Sequence, residues 1–527
     1  MNSERNETFQ RASTRPRSHR KGILYIAAIT AAILLLAALQ LELFASAMKQ
    51  GVCCFDDASF SVIAKNLAGG DGYLLTLDYG NLDHSGTLFH PALGTGPTTI
   101  VFASAAIALF GAADWVPGVA TVFFNLIVML SMIAVMSKRV GLARALCFAA
   151  VLMLASIAVT QKHHEQWFAL LGEVQSFLLT MLAYALIAFG SRSIRSLIAA
   201  GVMLGLAFLA KEMAILYTLP VAAVALATFF GSPTQPWTLR VQRSFTPLLA
   251  VALGAALPVI IFELYRLHAL GLHGWMENWK LHIAFVRSQG VAQHAQSTYA
   301  LIAERMDAFS IRFEFGFPAT IALAVTGTFF ALAMSRDNRT KTFALLVFVA
   351  WLLHASYWLL MSVGWARYAF LSIPFAIAAA CVPILYAPLT GRSAIQWGLL
   401  AFLLAAIVQP TRHYISSIWH PSLSHSSDAA DATQRSKVQL RDFLAGTDEV
   451  IYTPWWAHAA SMEYLLPGHA HFTAVTSQSA SGGLLLIDKK LPLPETSDFT
   501  ELSARCRPLR SFGERYRVDR CSPSPDQ

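Results

Sequence analysis

Charge is scarce in this chain. Of its 527 residues only 13% are Asp, Glu, Lys or Arg, against 55% hydrophobic, whereas soluble domains carry about 25% charged residues. A mean hydropathy of +0.51 points the same way, and a soluble multidomain protein is excluded. Cysteine is scarce too: six in a chain this long make no disulfide framework. Nucleotide signatures are missing. No Walker A loop is present, and no GxGxxG opens a helix after a strand. An ATP-driven pump and a nucleotide-sugar enzyme of Rossmann type are therefore disfavoured. HExxH and CxxC patterns are absent as well, and no internal repeat stands out. The net charge of +8 does not suggest nucleic acid, because the basic residues sit in short clusters between apolar runs, as cytoplasmic loops do.

What the chain has is apolar runs in series. They predict an all-α polytopic membrane protein of about 11 transmembrane helices. Residues 1–21 form a basic cytoplasmic N-terminus. Ile23–Ser46 is longer than a signal-peptide core of roughly 7–15 residues, so it reads as an uncleaved first span. The transmembrane domain runs over 22–409, with an outer first loop at 47–116. One stretch decides the topology. Thr98–Phe110 is apolar, but as a helix it covers only about 20 Å of a hydrocarbon core of about 30 Å. It is read as lying along or dipping into the outer surface. Spans then follow at 117–137, 143–160, 167–189, 196–210, 213–230, 245–265, 317–335, 342–361, 368–388 and 394–409. Every inner connection is then basic, as the positive-inside rule asks. The tail, 410–527, reads as a small α/β domain on the outer face, with helix-like stretches near 433–445 and 457–465. Strand-like runs fall at Val450–Thr453, Phe472–Val475 and Leu484–Ile487. On an oxidising side of the membrane, Cys506 and Cys521 suit a disulfide.

This topology gathers the unusual polar residues on one side: Asp56, Asp57, His84, His90, His163, His164, Glu165, Glu173, Lys211, Glu212, Arg266, Lys280, Arg287 and Arg367. Two adjacent acids, Asp56-Asp57, in a loop beside a membrane repel each other, so at least one is expected to have a raised pKa. Glu173 reads as an acid about two turns into an apolar span, a functional candidate by default. Lys211, Arg367 and Arg287 are candidate contacts for a donor phosphate, although a lysine at a helix end also snorkels to the interface without further role. Trp275 and Trp279 read as an aromatic anchor at the interface. A metal site is a weak reading, with Asp56, Asp57 and His163 as candidates. His163 and His164 are adjacent and so face different ways.

The run Phe55-Asp56-Asp57-Ala58-Ser59-Phe60, followed by Ala64-Lys65-Asn66-Leu67-Ala68-Gly69-Gly70-Asp71-Gly72, resembles the first-loop signature of the GT-C glycosyltransferases. That superfamily includes protein O-mannosyltransferases, aminoarabinose lipid A transferases and mycobacterial arabinosyltransferases. Thr95-Gly96-Pro97, Leu109-Phe110-Gly111, Leu171-Gly172-Glu173 and Ala210-Lys211-Glu212 look similar to later pieces. The resemblance spans roughly residues 22–390. It implies an inner-membrane enzyme, N-terminus cytoplasmic and C-terminus periplasmic, using a polyprenyl-phosphate sugar donor and a lipid, glycan or protein acceptor. It further implies that Asp56 or Asp57 is the base or a metal-associated carboxylate and Glu173 the second acid. Lys211 or Arg367 would contact the donor phosphate. The sequence departs from the pattern at Asp57, where many relatives carry Glu, and at Ala92, where many carry Pro. Asp56 is the first choice for the base, and a single base suits inversion at the sugar carbon. The rival from another class is a secondary transporter or lipid flippase of envelope precursors, which calls for broken helices and acids near the bilayer midplane.

Overall fold

The computed structural model describes residues 16–76, 86–91, 93, 96–191, 193–230, 234, 236–288, 298–362, 364–386, 423–454, 458–466, 472–475, 482–491 and 493–523. The expected span at 394–409 lies outside them, as do His84, Ala92 and Thr95. Helix α1 (Pro16–Gln50) is followed by α2 (Phe55–Gly69), a short ladder of β1 (Leu74–Leu75) and β2 (Thr87–Leu88), and α3 (Pro97–Phe110). Then come α4 (Val116–Val140), α5 (Leu142–Val159), a 3-10 turn at Gln161–Trp167, α6 (Glu173–Phe189) and α7 (Ile194–Ala210). A second 3-10 turn, Glu212–Thr218, leads into α8 (Leu219–Phe230), and α9 (Trp237–Ser288) breaks at Gly271. The helical part closes with α10 (Thr298–Phe313), α11 (Phe317–Met334), α12 (Asn338–Leu360), the one-turn α13 (Ala366–Ala369) and α14 (Ser372–Cys381).

Among the described residues eight helices are long and apolar enough to cross a bilayer, and α6 and α7 are apolar helices of 17 residues each. The protein is a multi-pass membrane protein. The apolar content holds the bundle in lipid, and small residues bring its helices together. Along α7 and α9, Gly201 faces the Val251 carbonyl and Gly254 faces the Ile198 carbonyl. A Cβ added at either glycine would stand 2.1 or 2.3 Å from that oxygen. The connections that follow α6 and α11 meet at one end, where Arg339 donates to the Gly190 carbonyl at 3.4 Å.

The opposite end carries Asp56 and Asp57, in the first turn of α2. Helix α3 begins there, with Gly96 against Leu209 at the end of α7. It also finishes there: four residues past its end, Asp114 accepts from the Val52 amide at 3.1 Å, just beyond α1. Both ends of α3 therefore sit on the same side of the bundle.

The tail folds as α15 (Leu423–Ala445), β3 (Ile451–Thr453), α16 (Ala460–Leu465), β4 (Phe472–Ala474), β5 (Gly483–Asp488), α17 (Ser497–Ala504), β6 (Cys506–Phe512) and β7 (Tyr516–Cys521). Its strands form one sheet in the order β4-β3-β5-β7-β6. The first three run parallel, and β7 and β6 run antiparallel to their neighbours. A disulfide joins Cys506 to Cys521. One hydrophobic core includes Ala58, Val62 and Ile63 of α2 together with Leu440, Tyr464 and Leu484 of the tail. The tail and the first loop are thus packed as one body.

Candidate active site

Asp56 and Asp57 lie in the first turn of α2, not in a loop. Successive helix positions diverge by about 100°, so the two acids face different surroundings. Asp57 turns inward and is 2% exposed. Its Oδ1 accepts the Leu170 amide at 2.7 Å and its Oδ2 the Cys53 amide at 2.8 Å. Burial raises its carboxyl from the usual 3.8 to about 6, against the pull of those two amides. The raised value expected from repulsion between neighbours is present, but desolvation is its cause. Asp57 ties the start of α2 to the loop that leads into α6.

Asp56 faces the other way and receives Nη1 of Arg367, from a point 311 residues later. The Arg367 guanidinium also lies 5.1 Å from the ring centres of Trp365 and Tyr368, which are stacked. A planar cation suits that aromatic and carboxylate setting better than a lysine would.

Two sets of buried contacts hold the Arg367 segment. From the membrane side, the Tyr184 hydroxyl donates to the Tyr217 carbonyl at 2.7 Å. The Tyr217 hydroxyl lies 2.9 Å from His354 Nδ1, and His354 Nε2 lies 2.9 Å from the Tyr368 carbonyl. Because a carbonyl only accepts, Nε2 carries the proton and Nδ1 accepts from Tyr217. From α10, Arg305 donates to the carbonyls of Trp358 and Ser362 at 2.5 and 2.6 Å. Gly364, at φ +83°, lets the chain pass Arg305; an added Cβ would meet its Nε at 3.0 Å.

Glu173 is the first residue of α6, where the helix N-terminus favours a carboxylate. It is not two turns into a span, because the chain from Phe168 to Gly172 is not yet helical. Glu173 Oε1 lies 2.9 Å from Lys211 Nζ, and Oε2 is buried without a partner. Lys211 also donates to the Leu171 carbonyl at 3.2 Å. Two of the expected site residues therefore neutralise each other in a pair of 3% and 9% side-chain exposure. Arg287 stands exposed in the last turn of α9, outside this cluster.

Lys211 points towards Glu173, and its neighbour Glu212 lines a cavity of about 150 Å³ with Tyr73, Phe89, Pro91, Arg266 and His282. His282 bridges Glu212 Oε1 at 3.1 Å and the Pro91 carbonyl at 2.7 Å. Arg266 is 7% exposed, stacks 4.9 Å from the Trp279 ring and keeps its Nε unpartnered. Trp275 and Trp279 both donate to Glu263 Oε2, at 2.7 and 2.9 Å. The indole pair folds back onto this acid across the break at Gly271.

The family resemblance raises a divalent metal. The residues present do not fit one. Asp56 is engaged by a guanidinium, and both oxygens of Asp57 accept amide protons. His163 is buried against Phe313, with Nδ1 3.3 Å from Glu165. Among the described residues no group of three or more His, Cys, Asp or Glu is placed to hold a metal, whereas magnesium takes about six oxygens. Sequence reasoning missed Arg305. The available signal was its place in the stripe Leu301, Arg305, Phe309 and Phe313, all buried on one face of α10: a charge at an apolar position of an amphipathic helix.

The chain is a helical bundle with loops and a strand-bearing tail domain gathered at one end, a fold it shares with solved structures. Among solved structures it is similar to ArnT from Cupriavidus metallidurans bound to undecaprenyl phosphate. That likeness has a TM-score of 0.57 and 11% identity, over 93% of this chain and 98% of that one. The apo form of the same protein gives 0.55, 12%, 93% and 98%. The apo oligosaccharyltransferase of Archaeoglobus fulgidus gives 0.50 and 12%, over 88% of this chain and 69% of that one. No protein-family model matches the chain, and no curated protein matches it either.

Proposed function

We propose that this protein transfers a sugar from a polyprenyl-phosphate donor to an acceptor hydroxyl at the outer face of the inner membrane, with inversion. The N-terminus is cytoplasmic and the C-terminal domain periplasmic. The observation that carries the reading is the Asp56–Arg367 pair, 18% and 31% exposed in its side chains, at the end of the bundle where the loops and tail gather. One group is a proton acceptor and the other an anion partner, and sugar transfer from a phosphate needs both. A donor phosphate arriving beside Arg367 competes for the guanidinium and frees the Asp56 carboxylate. Asp56 then takes the acceptor's hydroxyl proton as its oxygen attacks the sugar carbon. The bond from that carbon to the phosphate oxygen breaks, and the leaving polyprenyl phosphate departs against the Arg367 cation. Glu173 and Lys211 are the supporting shell, which fixes the start of α6 beside Asp57. The cavity that Glu212 lines carries buried Arg266 on its wall, 3.3 Å from Glu263, and a donor phosphate entering there would compete with Glu263 for that cation. The likeness in fold to ArnT with undecaprenyl phosphate supports a lipid-phosphate donor.

The test is the Asp56→Asn variant. We expect normal membrane insertion and a loss of glycan product of roughly 10²–10⁴-fold, the usual worth of a general base. Mass spectrometry of envelope glycans, with and without the protein, reads it. Full product from the variant overturns the assignment of the base. Substrate flux with no glycosylated product from the wild type indicates a transporter instead.

A further inference from the structure

We propose that Cys53 and Cys54 form a reversible disulfide that sets the position of Asp56. Their sulfurs lie 2.7 Å apart, immediately before α2. The backbone of both residues anchors that helix: the Cys53 amide donates to Asp57, and the Cys54 carbonyl accepts the Ala58 amide at 2.8 Å. Asp56 lies between those two anchors. Cys53 packs against a core that includes Phe512 of β6 and Tyr516 and Val518 of β7, the two strands that carry the Cys506–Cys521 disulfide, so both face the same compartment. The proposal rests on the reading above that this compartment is the oxidising, outer one.

The chemistry is thiol–disulfide exchange with a disulfide-bearing oxidase of that compartment. Cys54 is exposed and Cys53 half-buried, so Cys54 attacks first. Its thiolate displaces one sulfur of the oxidant and leaves a mixed disulfide. Cys53, whose thiol is pushed up by its hydrogen bond to Cys54 and by burial, then loses its proton and attacks the Cys54 sulfur. The oxidant's second thiolate is released. Two thiols of this chain lose two electrons and two protons, and the oxidant's disulfide becomes two thiols.

Adjacent Cα atoms are about 3.8 Å apart across a trans peptide, below the usual span of about 4.4–6.8 Å for a disulfide. The bond is therefore strained, and strained disulfides are the readily reduced, regulatory ones. Closing it twists the 53–54 peptide and moves the α2 start against Arg367. A shift of about 1 Å at a reacting group costs up to about a hundredfold in rate.

The experiment is differential alkylation and peptide mass spectrometry on the full chain in detergent, poised with oxidised or reduced glutathione. We expect the oxidised peptide containing residues 53 and 54 to be lighter by two hydrogens and closed to alkylation until reductant is added. Cys54→Ser should abolish both effects. Two cysteines that stay fully alkylated, or that end as separate glutathione adducts, overturn the proposal. Sugar transfer is measured on the same samples. We expect a fall of about ten- to a hundredfold on oxidation, reversed by reductant, with Cys54→Ser insensitive. A disulfide that forms and leaves transfer unchanged overturns the switch. A disulfide that forms where no transfer is seen in either state counts against the transferase reading and not against the disulfide.

Discussion

At the scale of single residues, burial changes the acid chemistry of Asp57. Its carboxyl titrates near 6 in the folded protein against a usual 3.8. The folded state then binds this proton more tightly than the unfolded one. Its contribution to stability is full below about 4 and is lost as pH rises through 6. On going from pH 7 to pH 5 the wild type gains stability from this group, on the order of 1 kcal/mol. Thermal melts of wild type and Asp57→Asn across that range check it: the wild type's relative stability should be higher at pH 5. The Glu173–Lys211 pair behaves differently. Glu173→Gln or Lys211→Met alone leaves one buried group uncompensated and should cost about 3–5 kcal/mol. The double variant should recover most of that, and a double-mutant cycle of denaturation midpoints measures the coupling. These acids and cations were legible as unusual residues in an apolar chain. Their pairing was not. Asp56 meets Arg367 across 311 residues, and no local pattern carries that contact. Lys211 was read as a phosphate ligand because its buried partner is equally out of local reach.

At the scale of elements, the apolar runs were readable because bilayer thickness and helix rise fix their length. The expected spans at 317–335 and 342–361 correspond to Phe317–Met334 and Asn338–Leu360. The errors lie where lipid makes no demand. Helix α9 runs on past its expected end to Ser288. Strands β6 and β7 were missed because β6 is mostly exposed and both are rich in arginine, so neither shows an apolar run. The segment from Trp358 to Tyr368 is the element that positions Arg367, and Arg305 clamps it. Arg305→Met should take the guanidinium from the Ser362 carbonyl and from the Trp358 carbonyl, which keeps the Ser362 hydroxyl, and let Arg367 drift from Asp56. We expect kcat to fall about tenfold or more, with little change in donor KM, in a chain that still inserts. Gly364→Ala, which places a Cβ against Arg305 at a left-handed φ, should act in the same direction. Kinetics on both variants check this.

At the scale of the whole molecule, the tail domain is clamped onto the first loop by buried charge. Lys437 Nζ lies 3.1 Å from Asp114 Oδ2 and donates to the Val52 carbonyl at 2.7 Å, and the side chains are 1% and 5% exposed. Lys65 donates to the Glu463 and Leu466 carbonyls at 2.6 and 2.9 Å. Gly51, at φ +61°, is needed because a Cβ there would overlap the Asp114 carboxylate. Lys437→Met strands Asp114 and should weaken docking by about 3–5 kcal/mol. Limited proteolysis reads it: the tail should be cleaved from the variant at protease levels that spare the wild type. The sequence showed a tail of different composition but not its seat, because the lysines that dock it look like any solvated charge.

That clamp has a consequence for how the protein is made. Lys65 meets Glu463 across 398 residues of chain. At a synthesis rate of about 5–20 residues per second, the first loop waits about 20–80 s for the segment that completes its core. Until then that end of the bundle is an open surface with apolar flanks. A chain that stops early keeps the apolar helices of the bundle but lacks the tail residues that share a core with α2, and that core is completed only with the last hundred residues or so.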